Sequence, residues 1–250
     1  AFVSYFLLPD ASILDSRMTM SLPAAITAAT GMDALTHAVE AYYCLSKNPL
    51  SDATALAAIR LISGNLLKVT RNPGDREGRL AMANAATLAG MAFSNSMVGM
   101  VHTLGHATGS VCGVPHGVCM AILLPYGLEY NRHRREAVMG ELLLPIGGPG
   151  VYAQTAAGDR TGRVISYVRQ LNEDLHEAAG GRHPRFFREV KDREGNPAVP
   201  QDRLPDIARA ALGDGSIFYN PEDLDYEDMV MVLEAAWEGR SLDMGRIRRG

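Results

Sequence analysis

The sequence of 250 residues predicts an all-α fold. From Pro23 onward, apolar residues recur mostly at the spacings of three and four that place side chains on one helix face. Proline and glycine separate these periodic segments, as expected at helix boundaries. The one strand-like segment is 2–8, which contains β-forming residues and alternates weakly. Because a lone strand has no pairing partner, we expect this strand to be a remnant of a preceding domain.

The first half of the chain contains five predicted helices. Pro23 lies in the first turn of the first one, where proline is well tolerated, and we expect this helix to end at Tyr43. Ser51 or Asp52 can cap the second helix with a side-chain oxygen, and an Asn-Pro-Gly sequence at 72–74 ends it. The next three helices are predicted over 75–93, 97–109 and 116–130, with a turn at 113–115 before the last of them.

The second half of the chain begins with a predicted break. Three glycines within segment 147–150 favour a loop. Beyond this loop, helices are predicted over 161–179 and 200–212. The Asn-Pro-Glu sequence at 220–222 is expected to begin the last helix. In that helix five apolar residues recur at helical spacing, namely Tyr226, Met229, Val232, Leu233 and Trp237.

Composition and charge exclude several functional classes. The net charge is −4 with acidic and basic residues interspersed, so there is no electrostatic indication of nucleic-acid binding. No apolar run reaches the roughly 18 to 20 residues needed to cross a bilayer, so we expect no membrane segment. Three cysteines are an odd number in a large chain, which is typical of free thiols in a reducing compartment. We therefore expect a cytoplasmic protein.

A concentration of histidines predicts the functional site. Three of the seven histidines, His102, His106 and His116, lie within fifteen residues of mainly apolar sequence. Burying imidazole rings in such surroundings costs free energy unless they have partners. Asp33 and His37 are one helical turn apart and therefore project from the same helix face. One carboxylate with three imidazoles suits Fe²⁺ or Zn²⁺ and can leave a position open for a substrate oxygen.

The residues alone leave two questions about this site open. An Asp–His pair at this spacing also stabilises a helix without any metal, and a single histidine on an apolar face is usually a core or surface residue. The spacing also leaves open which two of the three clustered histidines would join Asp33 and His37. A metal site and a purely structural arrangement are therefore both compatible with the spacing.

Two longer motifs around these residues resemble the signatures of iron-type (group III) alcohol dehydrogenases. Segment 31–42, GMDALTHAVEAY, is similar to the pattern GxDAxxHxxEAY of that family. Segment 99–106, GMVHTLGH, followed by PHG at 115–117, is similar to the second family pattern, GxxHxxxH followed by PHG. The resemblance is strong from about residue 7 to 133 and weaker beyond residue 140. The chain is therefore similar to the C-terminal catalytic domain of that family.

The resemblance implies a division of roles among the clustered residues. It implies that Asp33, His37, His102 and His116 are the metal ligands. The metal of the family is usually Fe²⁺, with Zn²⁺ in some members. His106 is implied to lie near the nicotinamide ring of the cofactor and the bound alcohol, as a catalytic proton relay and not as a metal ligand.

The resemblance also implies the domain organisation and the reaction. Residues 21–250 are expected to form the helical, metal-binding catalytic domain of the type found in dehydroquinate synthase and iron alcohol dehydrogenases. Residues 1–20 are expected to be the remnant of an upstream nucleotide-binding domain and its linker, because the sequence lacks a glycine-rich phosphate-binding motif. The implied reaction is oxidation of an alcohol to an aldehyde or ketone, or its reverse, with NAD or NADP bound through the absent domain. The family suggests a homodimer, and the isolated fragment is expected to be poorly active or inactive.

Two residues could support the ligands, and two other functions are compatible with parts of the sequence. Glu40 and Thr36 are candidates for orienting the ligand imidazoles, although both residues also suit ordinary helix packing. One alternative function is a non-catalytic helical module of a larger enzyme or assembly. Another is a dehydroquinate-synthase-like zinc lyase, which would need several cations near the ligands to hold a phosphate-bearing substrate. Segment 33–116 has few cations close to those residues, so alcohol oxidation is favoured.

Overall fold

The computed structural model describes residues 9–243, 245 and 247. The described part confirms the all-helical fold, and its β-type pairing is limited to one bridge between Lys191 and Pro197. The strand predicted over 2–8 lies outside the described residues. Nine α-helices occupy the described part: α1 (Ala24–Tyr43), α2 (Pro49–Arg71), α3 (Arg76–Ser96), α4 (Met100–Cys112), α5 (His116–Glu141), α6 (Leu143–Gln154), α7 (Arg160–Ala178), α8 (Leu204–Ala211) and α9 (Tyr226–Glu238).

Helix α1 is the centre of the fold. It packs against α2, α3 and α5 and buries side chains such as Met32, Leu35 and Val39. Its sequence is apolar around most of its circumference, which is the pattern of a helix covered on several sides. The predicted limits of α1, α3 and α7 agree closely with the structure, because proline or aspartate before the helix and the end of the apolar pattern mark them.

Two predicted helix starts are wrong. The cap of α2 is Asn48, whose side chain accepts hydrogen bonds from two backbone N–H groups of the first turn. Ser51 returns a hydrogen bond as the third helical residue, so neither Ser51 nor Asp52 is the cap. The cap of α9 is Asp225, not Asn220. The Asn220 side chain is instead committed to the N-terminus of α4, a distant contact that local sequence patterns do not reveal.

Three further boundaries differ from the predictions. The loop predicted over 147–150 lies within α6, which is only kinked at Gly148, where φ is 82°. Helix α4 begins three residues later than predicted, because Met97 adopts a φ of 70° and ends α3. Helix α5 continues past Tyr130 to Glu141, with one non-helical residue at Arg135. Its polar second half lacks the apolar pattern that the prediction relied on.

The buried residues form two clusters that meet along α5. In the first cluster, Leu124 and Leu128 of α5 pack with residues of α1, α2, α3, α6 and α7. In the second, Met120 and Ile122 of α5 pack with residues of α4, α8 and α9. Helix α5 thus separates the two cores, and its N-terminus lies beside both α1 and α4. This arrangement places the predicted site residues of all three helices near one another.

Candidate metal centre

The structure brings four of the predicted site residues together. Asp33 and His37 lie one turn apart on α1, His102 lies in the first turn of α4, and His116 is the first residue of α5. Each offers one ligand atom, and these four atoms all lie within 4.8 Å of one another. A cation about 2.0–2.2 Å from each ligand needs donor atoms roughly 3–4 Å apart, so small side-chain rotations would complete such a site.

Asp33 lies at the centre of the group. Its Oδ1 lies 3.2 Å from Nε2 of His116 and 3.7 Å from Nδ1 of His37. Burial raises the pKa of Asp33, but the neighbouring His116 and His37 outweigh this effect, so its pKa lies below the ordinary value. The carboxylate is therefore ionised near neutral pH and supplies negative charge to the site.

Two atoms of the group are buried without a hydrogen-bond partner. They are Asp33 Oδ1 and His102 Nε2. An unpaired buried acceptor ordinarily costs about 1–3 kcal/mol. Two such atoms from different helices, directed at one small region, fit a common cation. The donor set of one carboxylate oxygen and three imidazole nitrogens also fits Fe²⁺ or Zn²⁺.

Glu40 fixes which nitrogen His102 presents to this region. Glu40 is fully buried, and its Oε2 lies 2.5 Å from His102 Nδ1. Burial raises the pKa of Glu40, but hydrogen bonds from His102 and from backbone N–H groups lower it below the ordinary value. An ionised carboxylate only accepts hydrogen bonds, so Nδ1 carries the proton and Nε2 presents its lone pair. The other candidate, Thr36, bonds to a carbonyl within its own helix instead.

The same carboxylate caps α4. Glu40 Oε1 accepts a hydrogen bond from Val101 N–H at 2.9 Å, and Oε2 accepts one from His102 N–H at 3.3 Å. These N–H groups belong to the first turn of α4, where no helical acceptor exists and where negative charge is favourable. Gly99 permits this approach, because a Cβ there would lie 3.2 Å from Glu40 Oε1 and 2.8 Å from Asn220 Oδ1.

Close packing positions the other two histidines. The His37 ring lies between Phe93 and His102, with centroid distances of 4.4 Å to each. Burial, aided by the neighbouring His102, lowers the pKa of His37 to about 4, so its ring is neutral near pH 7, as a metal ligand must be. His116 reaches Asp33 because α5 approaches α1 at Gly117, where a Cβ would lie 2.6 Å from the carbonyl oxygen of Ala29.

His106 lies beside the group of four. Its ring stacks on His116 with a centroid distance of 5.2 Å and an interplanar angle of 18°, and it lies edge-on to His102 at 5.7 Å. Its Nδ1 is 2.8 Å from Asp214 Oδ2. The hydrogen bond with Asp214 raises the pKa of His106, although burial opposes this effect. Its side chain is 45% exposed, so it can contact a bound molecule.

The remaining three histidines lie outside the site. His133 pairs with Glu222, and His176 bonds to the carbonyl oxygen of His183. His183 is fully buried, with Nε2 at 3.3 Å from the side-chain oxygen of Asn172. None of the three belongs to the group that could hold a metal among the described residues.

Sequence reasoning missed three residues that shape the site: Phe93, Asp214 and Asn220. Phe93 and Asn220 have no local signal that links them to the histidines. Asp214 precedes Gly-Ser, which is a recognisable cap sequence, and its side chain does accept a hydrogen bond from Ser216 N–H. Its second contact, with a histidine 108 residues earlier, follows only from the packing of the C-terminal half.

Comparisons with known proteins identify the family that the chain resembles in sequence and fold. A sequence model described as the C-terminal part of the Fe-containing alcohol dehydrogenase family matches residues 27–237. Long-chain-alcohol dehydrogenase 1 of Geobacillus thermodenitrificans is 46% identical over 235 residues, which cover 94% of this chain and 56% of the relative. The 1,3-propanediol dehydrogenase of Klebsiella pneumoniae is 36% identical over 238 residues, which cover 94% of this chain and 57% of that protein.

Solved structures give the same result. The crystal structure of a 1,3-propanediol oxidoreductase matches with a TM-score of 0.82 and 35% sequence identity, covering 92% of this chain and 56% of that one. The alcohol dehydrogenase from Oenococcus oeni matches with a TM-score of 0.79 and 32% identity, covering 89% of this chain and 54% of the other. The chain thus spans a little over half the length of the relatives it matches.

Proposed function

The chain belongs to the iron-containing alcohol dehydrogenase family, and we propose that it forms the metal-binding, catalytic part of an NAD(P)-dependent alcohol dehydrogenase. The observation that carries this proposal is the convergence of Asp33, His37, His102 and His116 on one small region. The proposed reaction interconverts an alcohol and the corresponding aldehyde or ketone. Relatives named for 1,3-propanediol, butanol and long-chain alcohols support an alcohol as the substrate class.

We propose that the four residues hold one Fe²⁺, with Zn²⁺ as the alternative that the same ligand set accepts. When bound, the ion would act as a Lewis acid on the substrate hydroxyl and lower its pKa. Asp33 contributes the negative charge that retains the cation. Glu40 holds His102 so that Nε2, not Nδ1–H, faces the ion.

The other reactive group in this proposal is His106. Its position beside His116 and its partial exposure support a role in moving the hydroxyl proton between the bound alcohol and solvent. The nicotinamide cofactor would accept the hydride from the alcohol carbon. Phe93 covers one face of His37 and helps to keep water from that side of the site.

We propose that the nucleotide is bound through a part of the protein outside residues 21–250, with residues 1–20 as its remnant and linker. The coverage of relatives to a little over half of their length supports this division. A homodimer and a cytoplasmic location belong to the same proposal. The three cysteines are free thiols, which is consistent with a reducing compartment. No helix of the described part has both the length and the apolar character needed to cross a membrane.

The test of this function is metal content followed by activity. The chain is purified anaerobically and analysed for iron and zinc together with His102→Ala and with His176→Ala, a control histidine outside the site. We expect about one equivalent of metal in the parent and the control and a loss of metal in His102→Ala. The metal-loaded complete enzyme is then assayed for NAD(P)-dependent oxidation of 1,3-propanediol, butanol and a long-chain alcohol. Absence of metal after reconstitution with Fe²⁺ and Zn²⁺ would contradict the proposal and favour a non-catalytic helical module.

A further inference from the structure

In the hydrogen bond between His106 and Asp214, the chemistry of the two groups determines which one is the donor. Asp214 Oδ1 accepts a hydrogen bond from Ser216 N–H at 2.8 Å, and Oδ2 lies 2.8 Å from His106 Nδ1. Burial raises the pKa of Asp214, but the hydrogen bonds from His106 and Ser216 together outweigh this effect, so the pKa lies below the ordinary value and the carboxylate is ionised near neutral pH. An ionised carboxylate has no proton to donate, so the proton between the two groups belongs to Nδ1.

This tautomer leaves Nε2 of His106 available. Nε2 lies on the opposite edge of the ring from Asp214, and within the described residues it has no hydrogen-bond partner. The ring plane is fixed by stacking on His116 at a centroid distance of 5.2 Å. A neutral His106 therefore presents an unprotonated nitrogen, a hydrogen-bond acceptor, beside the group that could hold the metal.

The segment that carries Asp214 is held firmly against α4. Asp214 caps a short 3₁₀ helix, Gly215–Tyr219, and Asn220 follows directly after it. Asn220 Oδ1 accepts a hydrogen bond from Met100 N–H at 3.1 Å, at the N-terminus of α4. The segment is thus attached to α4 at both of its ends, one turn beyond His102 and at the start of the helix. This double attachment gives Asp214 a defined position relative to the His106 ring.

We propose that Asp214 is the positioning residue for His106: it accepts the Nδ1–H of the ring and so directs the unprotonated Nε2 toward the substrate. This inference rests on the proposed alcohol dehydrogenase function. During oxidation, the O–H bond of the alcohol breaks and its proton passes to His106 Nε2. The C–H bond of the carbon that bears the hydroxyl also breaks, its hydride would pass to NAD(P)⁺, and the C=O bond of the product forms. Asp214 balances the positive charge that the ring then carries, in the way that a buried aspartate assists histidine in hydrolytic triads.

The decisive variant is Asp214→Asn. The asparagine oxygen can still accept the hydrogen bond from Ser216 N–H, so the cap of the 3₁₀ helix is retained. The amide NH₂ group would then face His106 Nδ1 and can only donate to it. Nδ1 must become an acceptor, which moves the ring proton to Nε2. The substitution therefore changes the tautomer of His106 with little change in the shape of the site.

The first readout is the ¹⁵N spectrum of the His106 ring in the zinc-loaded chain, at a pH where the ring is neutral. Zn²⁺ is used because it is diamagnetic. We expect the parent to carry its proton on Nδ1 and Asp214→Asn to carry it on Nε2. A parent spectrum with the proton on Nε2 would overturn the proposal. This measurement requires no catalytic turnover, so it tests the Asp214–His106 pair even if the proposed function fails.

The second readout is activity of the complete enzyme. Because general acid–base catalysis contributes about 10²–10⁴-fold, we expect kcat of Asp214→Asn to fall by at least about a hundredfold, with a much smaller change in KM for the alcohol. Asp75→Asn is the matched control, because Asp75 caps α3 through Gly78 N–H. It should leave kcat unchanged. A reversed tautomer with kcat within about threefold of the parent would refute the positioning role, whereas an inactive parent would refute the proposed function itself.

Discussion

The substitution Glu40→Gln tests most directly how the fold prepares the metal site. Glu40 Oε2 lies 2.5 Å from His102 Nδ1 and 3.3 Å from His102 N, both of which are donors in the present arrangement. Oε1 accepts hydrogen bonds from Val101 N–H and from the hydroxyl of Tyr43. Glutamine has nearly the same shape as glutamate, and its one oxygen can still accept hydrogen bonds from Val101 N–H and the Tyr43 hydroxyl. Its NH₂ group, however, replaces the oxygen that faces His102.

The expected losses of metal affinity and of stability follow from this exchange of a hydrogen-bond acceptor for a donor. The NH₂ group would face two donors of His102, the backbone N–H and the ring Nδ1–H. The clash with the ring is relieved only if the imidazole proton moves from Nδ1 to Nε2. That proton then occupies the nitrogen that faces the metal, so metal binding must displace it. Loss of an orienting partner typically lowers metal affinity 10–100-fold, which corresponds to about 1.4–2.8 kcal/mol. Loss of a hydrogen bond to a charged group should also lower the free energy of unfolding by about 1.5–3 kcal/mol.

The assay is competition between the chain and a chelator for Zn²⁺, combined with denaturant unfolding of the metal-free chain. Glu129→Gln is the control, because Glu129 is also a buried carboxylate and pairs with Arg169 at 2.7 Å, away from the site. We expect both variants to lose stability and only Glu40→Gln to lose Zn²⁺ affinity. Equal Zn²⁺ affinity in the parent and in Glu40→Gln would refute the reasoning that Glu40 selects the tautomer of His102.

Three further substitutions probe the backbone and the buried histidine. Gly99→Ala places a Cβ 2.8 Å from Asn220 Oδ1 and should cost about 1–3 kcal/mol of unfolding free energy in denaturant titrations; an unchanged value would contradict the close approach. Met97→Gly removes a side chain from a backbone with φ 70° and ψ −172° and should raise stability by about 1 kcal/mol, whereas a loss would show that the Met97 side chain packs favourably. Burial lowers the pKa of His183 from 6.5 to about 4, so between these pH values the unfolded chain binds more protons than the folded chain. The free energy of unfolding of the parent should therefore fall by up to about 3 kcal/mol as the pH falls from about 6.5 to about 4. His183→Gln should flatten this pH dependence of unfolding, and an equally steep profile in the variant would exclude His183 as its source.

The elements that the sequence predicts correctly are those with a local cause. Helix α1 is bounded by Pro23 and by the end of its apolar pattern, and both signals lie within the helix or next to it. The wrong elements depend on distant contacts. Asn220 resembles a helix cap but is held by Met100 N–H, and the glycines at 147–150 are accommodated within α6 by a kink at Gly148. Local propensity cannot reveal which of several acceptable conformations the packing selects.

In the candidate site, too, the sequence predicts the local relations but not the long-range ones. The helical period alone places Asp33 and His37 on one face, and it also allows His102 to share a face with His106. It does not determine that His116 approaches Asp33, or that a carboxylate from α1 reaches the first turn of α4. Those relations depend on contacts between residues that lie 83 and 61 positions apart in the sequence. The family motifs implied the first relation by resemblance but not the second, and the structure gives each a physical cause.

The glycines of the motifs illustrate this cause. Gly99 lies where the Glu40 carboxylate meets α4, and Gly117 lies where the first turn of α5 touches the backbone of α1 at Ala29. A side chain at either position would separate the helices that carry the ligands, although a glycine has no side chain that could itself bind the metal. Because Glu40 both caps α4 and orients His102, displacement at Gly99 would disturb helix stability and ligand geometry together. The structure of this site therefore depends on two contacts among three helices, α1 with α4 and α1 with α5, and not on the histidine spacing alone.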